Sequence, residues 1–112
     1  MTISTRRRGG VTLLELEGKL LVGRGDVALR EAVESLLSAG ESRIVIDLHG
    51  VTRMDSSGMA ELIAAYSKVK IQGGTLKLLR LPPKVQSILG VTQLMTVFDI
   101  FDEEDEAVAS FE

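Results

Sequence analysis

The sequence predicts a single α/β domain over residues 1–112, built on a mixed sheet of four to five strands. The sheet is expected to have a largely parallel core, an N-terminal hairpin and about four helices. Three observations carry this. Strand-like and helix-like stretches alternate through the middle of the chain, which calls for right-handed crossovers between parallel strands. The run Ile44-Val45-Ile46 is apolar on both faces, as in a strand covered from two sides. Gly9-Gly10, between two extended stretches, supplies the positive φ that a tight hairpin wants.

Each element has its own warrant. Thr2 to Glu17 reads as two strands around the glycine pair, with Val11–Leu16 the stronger, and a short extended piece, Lys19–Val22, follows Gly18. Leu29, Ala32, Val33, Leu36 and Leu37 recur at helical spacing, predicting a helix from about Asp26 to Ala39, with Asp26 at its start and Gly40 just past its end. Arg43–Asp47 is a strand. A second helix, Asp55–Gln72, carries the stripe Met59, Leu62, Ile63, Tyr66 and Val69 and stops at Gly73-Gly74. Thr75–Leu79 is the next strand. Pro82-Pro83 opens a short helix with Val85, Ile88 and Leu89 inward and Gly90 as terminator. Val97–Ile100 forms a last edge strand or an irregular piece. Asp102–Phe111 forms a final helix whose first turn gathers Asp102 to Glu106, negative charge that suits the helix dipole.

Composition narrows the function classes. Apolar residues make up 45% and charged residues 26%, ordinary for a globular chain, and the net charge is -3. Such a balance gives no electrostatic reason to expect nucleic acid or an anionic membrane as partner. Zero cysteines exclude disulfides, thiolate metal sites and a cysteine nucleophile. The first ten residues hold Arg6, Arg7 and Arg8 with no long apolar run behind them, unlike a secretory signal. A cytoplasmic location is expected, with no metal and no cofactor.

The informative segment is Met54-Asp55-Ser56-Ser57-Gly58-Met59, where a short loop after a buried strand meets a helix start. All four residues from Asp55 to Gly58 are favoured at helix starts, so a well-capped helix is the plain reading. Two details go further. Ser56 falls in line with Met59, Ile63 and Tyr66 and is expected to lean inward as the cap. Ser57 falls in line with Glu61, Ala64 and Lys68 and is expected to present its hydroxyl to solvent. A cap needs one side-chain oxygen, and this turn offers three. The spare hydroxyl lies where a helix N-terminus tolerates a phosphate.

With these residues in this order of elements, the chain resembles the STAS-domain anti-sigma factor antagonists, the bacterial partner-switching family. The resemblance runs from about Val11 to Phe111. It rests on Gly18, the Ile44-Val45-Ile46 strand, Met54-Asp55-Ser56-Ser57-Gly58, Gly73-Gly74 and the proline-led helix. It implies a STAS-like fold and a binding switch, not an enzyme. The second serine is the phosphorylated one in this family, which implies Ser57. The implied partners are an anti-sigma factor with serine kinase activity, which the unphosphorylated form sequesters to release a sigma factor, and a serine phosphatase. The expected docking residues are Asp55, Ser56, Ser57, Gly58, Met59 and Glu61, with Arg24 and Asp26 of the preceding loop. The chain departs from the family after Gly18. Many members carry Glu-Leu-Asp there, and this chain has Lys19-Leu20-Leu21, both acids being absent. This departure bears on the identity of the kinase.

Other readings are weaker. A STAS scaffold or transporter-associated module without phosphorylation is the alternative. A serine hydrolase needs a base, and the one histidine, His49, falls on the expected loop with no Gly-x-Ser-x-Gly elbow. Gly23-Arg24-Gly25-Asp26-Val27-Ala28 is a loose dinucleotide match, but Asp26 puts a negative charge where pyrophosphate must sit. Arg6-Arg7-Arg8 reads as a solvated strand end. Phe98, Phe101 and Phe111 are expected to pack the last helix on the sheet.

Overall fold

The computed structural model describes residues 1–91 and 97–111, with the side chains of 88–91 left aside. The elements run β1 (Thr2–Arg8), β2 (Val11–Leu20), α1 (Gly25–Ser38), β3 (Arg43–Met54), α2 (Ser56–Ile71), β4 (Thr75–Leu79), α3 (Pro83–Val91), β5 (Ile100–Phe101) and α4 (Glu104–Ala109). One five-stranded sheet has the order β1-β2-β3-β4-β5. The β1–β2 hairpin is antiparallel about Gly9-Gly10, and the remaining pairs are parallel. The mixed sheet with a parallel core is the expected one.

Over Ile44–Leu48 both faces of β3 are buried, as the apolar run requires. Ile44 and Ile46 face a large core with Leu14, Leu16, Leu76 and Leu78, covered by Leu29, Val33 and Leu36 of α1 and by Met59, Leu62, Ala65 and Val69 of α2. Val45 faces a smaller cluster with Val11, Leu13, Leu79 and Ala107 of α4. The α1 stripe is as expected. In α2, Ala65 is fully buried, whereas Ile63 and Tyr66 sit half-buried at the edge of the core. Both helices close with backbone bonds at the expected glycines: Glu41 N–H donates to the Leu36 carbonyl at 3.0 Å and Gly74 N–H to the Val69 carbonyl at 2.8 Å.

Several boundaries differ from expectation. β2 passes through Gly18 to Leu20 as one strand, so no separate Lys19–Val22 piece forms. β3 runs on to Met54, and the segment expected as a loop after Asp47 is strand, with His49 exposed on it. The reason lies in the register. Glu15 pairs Asp47 and Glu17 pairs Gly50, then Gly18 pairs Val51 and Lys19 pairs Arg53, so β3 holds two extra residues against β2. These irregularities space the buried Leu48, Val51 and Met54 by three, hiding the alternation that marks a strand. The β2–β3 ribbon thus projects beyond β4, whose pairing with β3 ends at Leu79 opposite Asp47.

At the other end, α3 continues through Gly90, which does not terminate it. Val85 is buried, while the expectation for Ile88 and Leu89 falls outside the described side chains. The last strand is Ile100–Phe101, and α4 spans only Glu104–Ala109. Phe98 packs edge-on against Tyr66 on the α2 side, so only Phe101 and Phe111 sit with the last helix. The N-terminal arginines are not a free solvated end. Arg6 pairs with Glu15 and Glu104, Arg7 with Glu41, and Arg8 with Glu104 and Asp105, tying β1 to α4 and to the α1–β3 loop. Among the described residues, no helix is long and apolar enough to cross a membrane.

Candidate functional site

The turn that opens α2 lies beyond the C-terminal ends of β2 and β3, beside the loop leading into α1. Asp55 is its N-cap. One carboxylate oxygen, Oδ1, accepts from Gly58 N–H at 2.9 Å, and the other, Oδ2, accepts from Val22 N–H at 3.0 Å. These backbone donors, Val22 first, hold the Asp55 carboxyl below its ordinary range, because they stabilise its charged form. One side chain therefore both caps α2 and fastens the β2–α1 loop to it. Gly58 makes the close approach possible: a Cβ there would overlap the Leu20 carbonyl and crowd the Leu20 and Met54 side chains.

The loop is pinned from its other side by Asp26. Its Oδ1 accepts from Gly23 N–H at 2.9 Å and from Val27 N–H at 2.7 Å, and its own N–H donates to the Leu21 carbonyl. A pyrophosphate on the loose glycine motif would have to displace this carboxylate. Held at both ends, the loop exposes Arg24 and leaves Val22 67% exposed, the second most exposed of the large apolar side chains in the described residues.

The serines are disposed differently from the phase argument. Ser56 is not the cap and is exposed, while Ser57 is half-buried. In the polar line Ser57, Glu61, Lys68, the last two side chains turn to α1 instead of standing free in solvent. Glu61 is 7% exposed and bonded to Arg30 Nε at 2.8 Å, and Lys68 reaches Glu34 at 2.9 Å. A seam of ion pairs between the two helices has the same hydropathy signature as a solvated face. Ser57 tops this seam with part of its surface open.

Of the residues expected to dock a partner, Asp55, Ser56, Ser57, Arg24 and Asp26 come together at this end of the sheet. Met59 and Glu61 do not present themselves: Met59 is 6% exposed in the core, as its place in the α2 stripe implies, and Glu61 is spent on Arg30. Gly58 is buried under Leu20. Sequence reasoning missed Val22. The available signal was an apolar residue next to a glycine, outside any periodic stripe.

The chain matches a family model described as the STAS domain over residues 2–107. The anti-sigma F factor antagonist of Paenibacillus polymyxa is 25% identical over 112 residues, spanning 100% of this chain and 96% of that protein. The anti-sigma-B factor antagonist of Bacillus subtilis (strain 168) is 32% identical over 80 residues, 71% of this chain and 72% of that protein. In fold, the Bacillus cell fate determinant SpoIIAA in its phosphorylated form superposes with a TM-score of 0.76 at 17% identity, covering 99% of this chain and 100% of that one.

Proposed function

Since the chain belongs to the STAS domain family, among the anti-sigma factor antagonists, we propose that it is a phosphorylation-controlled binding switch whose phosphoacceptor is Ser57. Unphosphorylated, it captures an anti-sigma factor that is also its serine kinase, and a sigma factor is released. A serine phosphatase resets it. The chain acts by binding, in the cytoplasm, and catalyses nothing itself.

The observation that carries this reading is the Asp55-capped turn. It sets two serine hydroxyl groups at the start of a helix, beside a pinned loop with an exposed apolar tip. Existence of SpoIIAA in a phosphorylated form supports the choice of a modification switch. The choice of Ser57 over Ser56 rests on the family pattern; exposure by itself favours Ser56, and Ser57 keeps only part of its surface open. A phosphate there adds roughly -1.5 to -2 charges beside the ionised Asp55. The amide ends of α2 offset part of that repulsion, so the domain stays folded and the effect falls on the contact surface.

The test is incubation with ATP and each candidate serine kinase, followed by mass spectrometry of the phosphopeptide. Signal on Ser57 is expected; signal confined to Ser56 overturns the assignment. No modification by any kinase favours a constitutive STAS scaffold. In a binding assay with the cognate kinase, Ser57→Ala is expected to bind constantly. Ser57→Asp is expected to bind about a hundredfold more weakly, which is ~2.7 kcal/mol.

A further inference from the structure

We propose that the end of the sheet around the serine turn is a docking face for an acidic protein surface, and that Lys19 and Arg53 select that partner. This deepens the reading above and rests on it: the partner is the anti-sigma factor, and the new claim is the charge of its docking face.

The chain carries 16 acidic residues against 13 lysines and arginines. Yet at this end Lys19, Arg24 and Arg53 are exposed and make no ion pair or side-chain hydrogen bond among the described residues. Lys19 and Arg53 are register partners on adjacent parallel strands. Neighbouring strands lie about 4.8 Å apart. The residues that follow them, Leu20 and Met54, are both buried under the helices, so the two cations project side by side from the opposite face. Like charges placed opposite each other on a sheet destabilise it. Among the described residues, no carboxylate forms an ion pair with either member. Asp55 and Asp26 are taken up by backbone amides, Glu61 is held by Arg30, and Glu17, exposed two residues before Lys19, makes no ion pair among the described residues.

Next to this pair, the loop from Leu20 exposes Val22 and Arg24. The whole has the anatomy of an interface: an apolar tip with a charged rim. Three cations on a net-negative chain are too few to hold a long polyanion against the repulsion of the rest of the surface. They match a protein face bearing a few carboxylates, where opposite charge sets partner choice and approach rate.

The experiment measures affinity for the purified kinase that modifies the chain, at low and high salt, for the unaltered protein and for Lys19→Glu, Arg53→Glu and Arg43→Glu. Arg43 is also exposed, sits on the same strand at its other end, and makes no ion pair among the described residues, so its reversal changes net charge equally. The reversals at Lys19 and Arg53 are expected to weaken binding about tenfold each and to flatten its salt dependence. Arg43→Glu is expected to bind as the unaltered protein does. Thermal melts confirm that each variant is folded. Unchanged binding by Lys19→Glu and Arg53→Glu, or equal weakening by Arg43→Glu, overturns the proposal. So does binding to phosphatidylserine vesicles or single-stranded DNA that Arg53→Glu abolishes. Ser57→Asp separates the two claims: if it binds normally, the switch itself fails, whereas its loss with Arg53→Glu intact sinks only the charge assignment.

Discussion

Two groups of basic side chains lie on this sheet, and they are treated in opposite ways. On the α4 side, Arg6, Arg8 and Arg80 are drawn to Glu15, Asp47, Glu104 and Asp105. At the serine end, Lys19, Arg24 and Arg53 have no such partners among the described residues. The difference follows from what each region has to hold. α4 has six residues, and Ala107 is the one it buries, so apolar contact alone fastens it weakly and Glu104 supplies a clamp. The serine end is held instead by buried Leu20 and Met54 and by backbone amides on Asp55 and Asp26, and its cations are free to act outward. Paired charge here serves the fold; unpaired charge serves a partner.

The largest test of that division is at Glu104. Its side chain is 18% exposed and faces Arg6 and Arg8, which are 40% and 39% exposed. Glu104→Gln is expected to cost about 2 kcal/mol in chemical denaturation, less than for a fully buried pair because water screens the guanidinium groups. The pH dependence has a definite sign. Arg6, followed by Arg8, lowers the Glu104 carboxyl from 4.5 to about 2. A depressed carboxyl contributes stability that is complete above its unfolded value and is lost as pH falls through the folded one. Stability should therefore decline between about pH 4.5 and pH 2, and Glu104→Gln should flatten that decline. A slope remains from Asp55, Glu34 and Glu41, whose carboxyls are also depressed. An unchanged profile in the variant would show that α4 is held by something other than its charges.

At the serine end the corresponding test is Asp55→Asn. Asparagine keeps an oxygen for Gly58 N–H but turns an NH₂ group toward Val22 N–H, so the cap survives and the strap to the loop is lost. Amide hydrogen exchange at Val22 is expected to quicken about fivefold while that at Gly58 holds, since a typical hydrogen bond is worth about 1 kcal/mol. Equal acceleration at both sites would mean that cap and loop are one unit and that Asp55 does not connect two.

What could be read from the sequence was what local pattern encodes. The α1 stripe, the two-sided burial of Ile44-Val45-Ile46 and the glycine stops of both long helices depend on neighbours within a few residues. Asp55 to Gly58 was legible as a helix start for the same reason, although the cap fell on Asp55 and not on Ser56. Pairing across the chain was not legible. Arg6 and Glu104 are 98 positions apart, and nothing in either segment announces the other. The polar line of α2 was misread because hydropathy cannot separate a residue facing water from one facing an opposite charge: Glu61 meets Arg30, 31 positions away. The length of β3 was hidden by its two extra residues, which break the alternation of a strand.

The smallest expected effect concerns the unpaired group and has an unusual sign. Arg53→Gln removes one member of the Lys19–Arg53 pair and strands no carboxylate among the described residues. Most surface substitutions are neutral or slightly destabilising. This one is expected to raise stability by about 0.3 kcal/mol, because it relieves repulsion between side-by-side cations. The gain should shrink with added salt, since screening already relieves the same repulsion in the unaltered protein. Chemical denaturation at low and high salt measures both. A loss of stability at low salt would mean that Arg53 has a structural partner, and the division between charges kept for the fold and charges kept for a partner would not hold at this end.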